Sequence, residues 1–363
     1  SHNYELYHIT IAHTQYCFHN IVYHRKVCSC MGLFSFFKKK HSTSPLDREP
    51  SQQMSSIGYE QLKKEYKQIS SSKTYAQRVD ACNSFLSLLS SSDVRSFNHI
   101  IVSESKKEKG YYYHPFFGVF STRSPVSELS EKISHDVKRL AFLSNKSAEF
   151  SAELAAVPLV SISPFDTPAL KRGTLSEMPN IHYSSVGKAF NRDRLPAFVV
   201  IDTETTGLKI QGGRIVELSA IRYEDFVPVA AFSSLVNPQK PIPTEAIRIH
   251  GITDADVSSA PTLAQLSTSF LSFVGSLPLV GYNLPFDLKF LYCRGIDLVS
   301  DRRKRFDVLE IARKVYRKDG LETFSLVDVC DHVGIYRDDA HRSLSDCYAT
   351  GKIFSDCIET LTE

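Results

Sequence analysis

The chain has 363 residues, of which 42% are hydrophobic and 23% are charged, as in folded globular proteins. No apolar run reaches the roughly 20 residues that a membrane-spanning helix needs, which excludes an integral membrane protein. The net charge of +3 is unevenly divided, because the part from Ala197 onward holds 18 basic and 23 acidic residues. The basic remainder fits either contact with a polyanion or an ordinary solvated surface.

The chain has eight cysteines, and most of them are scattered. Five stand singly along the sequence: Cys82, Cys293, Cys330, Cys347 and Cys357. This distribution indicates unpaired thiols in a reducing compartment, and we expect a cytoplasmic protein.

Four segments differ in composition. Residues 1–56 combine a histidine- and cysteine-rich start with a polar Ser/Pro/Gln stretch, and we expect a disordered or extraneous terminus followed by a linker. Residues 57–160 predict a mainly helical accessory domain. Residues 161–195 contain three prolines and little periodicity, which indicates a connector. Residues 196–363 form the second domain.

The accessory segment shows apolar residues at helical spacing. This pattern predicts two helices between Tyr59 and Leu89 and further helix over 127–157. The aromatic stretch Tyr111–Phe120 is compatible with a strand or a loop. The segment contains no chemical motif, so its role stays open.

The carboxy-terminal segment alternates strand and helix signals. Strands are predicted at 197–203, 215–223, 229–236 and 277–283. We expect Thr244 and Thr262 to cap helices that end near His250 and Val274. Further helices are predicted at 286–294, 308–317, 325–333 and 343–361. This order predicts an α/β fold in which helices flank a mixed sheet.

Two carboxylates end the first of these strands, in the stretch "FVVIDTETTGLK". Asp202 and Glu204 are two residues apart, so both side chains lie on the same face of the strand. Two negative charges so near to each other repel unless a proton or a cation lies between them. The pair therefore predicts a cation site at the end of a buried strand.

Later segments supply the remaining groups of such a site. Asp287 opens a predicted helix, and His341 precedes another helix that carries Asp346 about one turn in. Four carboxylates can hold two hard divalent cations, Mg²⁺ or Mn²⁺, which act on phosphate. A histidine beside them can accept a proton from the attacking water.

The ordered motifs resemble the DEDD 3′–5′ exonucleases of the subgroup whose third motif carries histidine, and are similar to the proofreading epsilon subunit of bacterial DNA polymerase III. The matching motifs are "DTETTGL" at 202–208, "NLPFD" at 283–287 and "HRSLSDC" at 341–347, with "IHGIT" at 249–253 between the first two. The resemblance covers about 196–361. It implies a ribonuclease H-like fold with a mixed five-stranded sheet.

The resemblance also implies a role for each matching residue. Asp202, Glu204, Asp287 and Asp346 would bind the metals and His341 would be the general base. The side chains expected near the terminal nucleotide of the substrate are Thr203, Thr206, Leu208, His250 and Asn283. The implied reaction releases nucleoside 5′-monophosphates from nucleic-acid 3′ ends, with DNA favoured as the substrate.

Two alternatives stay open at the level of sequence. The motifs do not separate a DNA exonuclease from an enzyme that acts on RNA or oligonucleotide 3′ ends, because the choice depends on how the pocket treats the 2′-hydroxyl. The chain could also be a nuclease fold that serves as a binding module. In either case the accessory domain could dock a partner protein.

Overall fold

The computed structural model describes residues 50–90, 106–108, 111–114, 116, 119–121, 125–162 and 170–362. The chain divides into two compact units, residues 1–54 and 55–363. The predictions for residues 1–49 lie outside the described residues. In the described part, no helix is long and apolar enough to cross a membrane.

Three helices and a small antiparallel sheet make up the described part of the accessory segment. The helices are α1 (Pro50–Ser71), α2 (Tyr75–Leu89) and α3 (Pro125–Ala155), and the strands are β1 (Lys106–Glu108), β2 (Tyr111–His114) and β3 (Val119–Ser121). Thr74 starts α2 by exchanging hydrogen bonds with Gln77 in a capping box. Leu62, Phe85 and Leu140 lie in the shared apolar core. The predicted helical extension is confirmed.

The carboxy-terminal segment is built on a five-stranded sheet with the order β6-β5-β4-β7-β8. Its strands are β4 (Ala197–Thr205), β5 (Ile215–Glu224), β6 (Val227–Leu235), β7 (Leu279–Gly281) and β8 (Arg305–Asp307). The first three pair antiparallel, whereas β7 runs parallel to both β4 and β8. The mixed sheet is therefore as expected.

Helices cover both faces of this sheet. They are α4 (Thr244–His250), α5 (Asp254–Val257), α6 (Leu263–Val274), α7 (Leu284–Cys293), α8 (Val308–Tyr316), α9 (Leu326–His332) and α10 (Ser343–Thr362). Alternate residues of β4 point to opposite faces. Phe198 and Val200 join the core beneath α8 and α10, and Val199 and Ile201 join the core beneath α6 and α7. Burial on both faces explains the continuous apolar run.

One predicted helix start differs from the structure. Pro243, not Thr244, is the N-cap of α4, and it makes no side-chain capping bond. Proline fixes its own φ near the value that a helix entry needs, so the turn forms without a hydroxyl cap. The prediction for Thr262 is confirmed, because its side chain and Gln265 form a capping box at the start of α6.

The long helix α3 packs directly against α10. Phe150 meets the ring of Tyr348 edge to face, with 5.1 Å between centroids. Glu153 accepts hydrogen bonds from the Tyr348 hydroxyl at 3.0 Å and from Lys352 Nζ at 2.6 Å. Helix α3 of the accessory segment therefore contacts the helix that begins at the candidate site.

Candidate active site

The end of β4 supplies the first two carboxylates. Asp202 and Glu204 lie opposite Ser219 and Glu217 of β5, and the β4–β5 register shifts immediately after Glu204. Both acidic side chains remain half-buried. The predicted placement on one face of the strand end therefore holds.

Helix α10 brings a third carboxylate to the same place. Asp346 lies in its first turn and is buried. Carboxylate oxygens of Asp202, Glu204 and Asp346 all lie within 4.8 Å of one another. Oxygen donors at this spacing fit a hard divalent cation, which several carboxylates can surround at once.

The crowding of these acids changes their titration. The pKa of Asp202 is raised well above its usual value, first by burial and then by the charges of Asp287 and Asp346. The pKa of Glu204 is raised to about 9, again by burial first and then by repulsion from Asp346. Without a cation Glu204 therefore holds a proton at neutral pH. A metal ion bound between these carboxylates would supply the positive charge that stabilises their ionised form.

Asp287 lies beside this group of three rather than within it. It is buried in the first turns of α7 and accepts a hydrogen bond of 2.7 Å from the Thr203 hydroxyl. Burial raises its pKa to about 7. Its charge is the strongest of those that act on Asp202, so the four predicted acids do converge on one region.

His341 lies in the loop before α10, as the sequence predicts. Its side chain is exposed, and its backbone N–H faces Asp346 Oδ1 at 3.3 Å. The residue has a φ of 66°, in the left-handed region that few non-glycine residues adopt. The surrounding contacts therefore fix the backbone that carries this imidazole.

Three of the side chains expected near a nucleotide border the site in different ways. Leu208 projects from the loop after β4 with 81% of its surface exposed. Asn283 is exposed at the start of α7, with a φ of 59°. His250 is buried, and burial lowers its pKa. Among the described residues, its Nε2 atom has no hydrogen-bond partner.

The two threonines have hydroxyls that are engaged within the protein. Thr203 and Thr206 are both buried. Thr203 donates to Asp287, and Thr206 Oγ1 accepts the backbone N–H of Arg214 at 3.0 Å. Their side chains therefore position Asp287 and the loop after β4.

Sequence reasoning missed a buried carboxylate beside the site. Glu217 accepts hydrogen bonds from Arg342 Nη2 at 2.6 Å and from the Ser343 N–H at 2.8 Å. It therefore ties β5 to the start of α10, next to His341. A lone acid inside the apolar run "IVELSAI" was the available signal, since an unpaired acid in a buried strand needs a partner.

A second missed residue is Arg337, which is buried in the loop before His341. It forms an ion pair with Asp346, and its charge opposes the rise that burial causes in the pKa of both Asp346 and Asp202. Arg337 therefore partly neutralises the acidic group. No spacing rule separates this arginine from the other basic residues of the chain.

The titration of the acids predicts how the metal-free protein responds to pH. Unfolded Asp and Glu titrate near pH 4, whereas Asp287 and Glu204 hold protons up to about 7 and about 9 when folded. Unfolding in this interval releases protons, so stability falls as pH rises. We expect Tm in chelator to drop by roughly 5 °C or more between about pH 5 and pH 9.

Two comparisons check the origin of this drop. A saturating divalent cation should remove most of it, because the cation then stabilises the ionised carboxylates of the folded state. Glu204→Gln should make the drop smaller, because this variant lacks the acid whose pKa is raised to about 9. A metal-free Tm that stays level or rises over the same pH range would contradict the crowding of the acids.

Comparisons with known proteins support the same region. The family model for RNase_T exonucleases matches residues 199–354. DNA polymerase III subunit epsilon of Aquifex aeolicus is 34% identical over 166 residues, which cover 45% of this chain and 81% of that protein. The epsilon subunit of Treponema pallidum is 30% identical over 165 residues and is covered to 76% of its length. The match extends over most of both relatives.

Other relatives are much longer than the matched region. The PolC-type DNA polymerase III of Clostridium perfringens is 30% identical over 167 residues, which are 46% of this chain but 11% of that protein. Among solved structures, exonuclease X in complex with 5′ overhanging duplex DNA is 27% identical, with a TM-score of 0.36. That alignment covers 45% of this chain and 92% of that one.

Proposed function

The chain belongs to the exonuclease family that includes the epsilon subunit of DNA polymerase III, and from this premise we propose that it is a metal-dependent 3′–5′ exonuclease acting on DNA. The observation that carries the proposal is the close group of Asp202, Glu204 and Asp346 oxygens beside His341. This arrangement combines a cation site with a base that can take a proton from water. Metal-dependent phosphodiester hydrolysis requires both.

The acids would hold the metal. Asp202, Glu204 and Asp346 are the first ligands in this proposal, and Asp287 is the fourth carboxylate, which together offer enough oxygens for two Mg²⁺ or Mn²⁺ ions. Bound there, the ions supply positive charge to the attacking and leaving oxygens of an in-line displacement. Thr203 keeps the Asp287 carboxylate turned toward the site through its 2.7 Å hydrogen bond.

His341 performs the proton transfer in this mechanism. Its exposed imidazole accepts a proton from the water that attacks the terminal phosphodiester, and the leaving 3′-oxygen departs with the shortened strand. The hydrogen bond between the His341 N–H and Asp346 links the backbone of the base to a metal ligand. The product is a nucleoside 5′-monophosphate.

Three residues would hold the terminal nucleotide. The exposed Leu208 side chain offers an apolar surface to the last base. Asn283 is exposed at the start of α7 and can bond to a sugar or a base edge. The Nε2 of His250, for which the described residues offer no hydrogen-bond partner, can bond to the nucleotide. Thr206 contributes indirectly, because it fixes the loop that carries Leu208.

DNA is the favoured substrate because the relatives at 30–34% identity are named as DNA polymerase III subunit epsilon or as DNA polymerase III PolC-type. The five buried unpaired cysteines of the described region suit a reducing compartment, and we place the activity in the cytoplasm. A protein partner of the accessory helices would direct the enzyme to its DNA.

A matched set of substrates tests the proposal. The full chain is incubated with single- and double-stranded DNA and RNA of one sequence, labelled at either end, with Mg²⁺, Mn²⁺ or chelator. We expect stepwise shortening from the 3′ end of DNA, release of mononucleotides and no reaction in chelator. The Asp202→Asn variant, purified in parallel, controls for contaminating nucleases.

Other outcomes of this experiment would assign a different substrate, a different function or a different mechanism. Faster degradation of RNA than of DNA would assign the enzyme to RNA 3′ ends. Binding of DNA without cleavage in either metal would favour a binding module. Release of 5′-terminal nucleotides first, or undiminished activity in chelator, would overturn the mechanism.

A further inference from the structure

The loop that leads from α9 to His341 lies against the accessory helices. Tyr336, in this loop, packs onto the apolar core that α1, α2 and α3 share. Its ring also meets Phe142 of α3 edge to face, with 6.4 Å between centroids. The segment before His341 is therefore in contact with a part of the chain far away in sequence.

Asp338 is the polar centre of this contact. Its Oδ1 accepts the backbone N–H of Tyr75 at 2.7 Å, and its Oδ2 accepts the Ser147 hydroxyl at 3.1 Å. Tyr75 is the first residue of α2, where backbone N–H groups lack partners within the helix and favour a negative charge. One carboxylate thus joins the start of α2 to the middle of α3.

The neighbours of Asp338 point the other way, toward the first turn of α10. Arg337 pairs with Asp346, and Asp339 accepts a 2.7 Å hydrogen bond from the Ser345 hydroxyl. The loop is consequently held on one side by the accessory helices and on the other by the first turn of α10. His341 follows three residues after Asp338.

This arrangement has a consequence for His341, whose backbone φ of 66° lies in an uncommon region. Such a conformation persists only where surrounding contacts fix it. Bonds from Arg337 and Asp339 to the first turn of α10 fix one side of the loop, and Asp338 fixes the other. A base that shifts by about 1 Å can lose a large part of its catalytic effect.

We propose that the accessory helices position His341 through Asp338, so that they are a part of the nuclease rather than an independent module. The proposal rests on the proposed exonuclease function and assigns a role to residues 57–160 within it. Asp338 is a positioning residue in this scheme, because it touches α2 and α3 and acts through the loop.

The test compares Asp338→Ala and Ser147→Ala with the control Glu149→Gln. Glu149 lies on α3 and pairs with Lys146 at the surface, so its replacement removes a carboxylate away from the loop. We expect Asp338→Ala to lower kcat about 10-fold or more while KM changes little. Ser147→Ala should cause a smaller loss, and Asp338→Asn, which keeps one acceptor oxygen, should recover part of it.

Hydrogen exchange of residues 336–342 supplies a readout that does not need activity. Exchange in this loop should accelerate in Asp338→Ala and remain unchanged in Glu149→Gln, with Tm close to wild type because Asp338 is exposed. Unchanged kcat and unchanged exchange would overturn the proposal. A wild-type protein without nuclease activity would refute the function alone, since exchange would still decide whether Asp338 holds the loop.

Discussion

Asp202→Asn is expected to abolish removal of 3′ nucleotides, with a loss in rate of at least about 10³-fold. The charges that act most strongly on Asp202 are those of Asp287 and Asp346, so Asp202 lies at the centre of the proposed metal site. Asparagine keeps the size of the side chain but removes the charge that binds a cation. Rates on 3′-labelled DNA at saturating Mg²⁺ measure the effect.

Measurements of Tm distinguish this loss of nuclease activity from unfolding of the variant. The raised pKa of Asp202 means that its ionised form destabilises the metal-free fold. Asp202→Asn should therefore leave Tm in chelator unchanged or raise it, and it should reduce the increase in Tm on adding metal. Asp193→Asn, at an exposed position outside the site, is the matched control for charge. Wild-type rates in Asp202→Asn would refute the site.

His341→Asn is expected to lower kcat by about 10²–10⁴-fold, the usual contribution of a general base. Asparagine is the suitable replacement because it tolerates the positive φ of this position, whereas alanine would add backbone strain. An asparagine amide cannot accept the proton from water at neutral pH. Single-turnover rates on DNA, measured with the enzyme in excess, isolate this step from product release.

Because the His341 side chain is exposed, another exposed histidine is a suitable control for its replacement. His182 is also exposed and lies outside the site, so His182→Asn should keep the wild-type rate. Both variants should melt near the wild-type temperature and bind DNA equally well in Ca²⁺. If His341→Asn turned over DNA as fast as the wild type, another group would have to serve as the base.

The local parts of the site could be predicted from the sequence. Asp202 and Glu204 share a face because of the two-residue period of a strand, and His341 precedes Asp346 by a spacing that one loop and one helical turn fix. The order of strands and helices predicted the sheet for the same reason. In the first two cases the residues concerned lie close along the chain, whereas the sheet also pairs distant strands such as β4 and β7.

The surroundings of the site depend on contacts between distant residues. Glu217 faces Glu204 only because β4 and β5 adopt one register, and its bond to Ser343 spans 126 residues. Asp338 meets Tyr75 across 263 residues. Read alone, the sequence marks Glu217 only as an acid within an apolar run, and it marks Asp338 as an ordinary surface residue. Their partners follow from the packing of helices on the sheet, which no local pattern encodes.

The ion pair between Arg337 and Asp346 has a consequence for how the enzyme matures. A site of four acids hinders folding in the absence of metal, since the carboxylates must take up protons or repel one another. The buried guanidinium supplies a positive charge from the moment the chain folds. Folding and metal acquisition can then occur as separate events, and a newly made molecule can wait, already folded, for its metal.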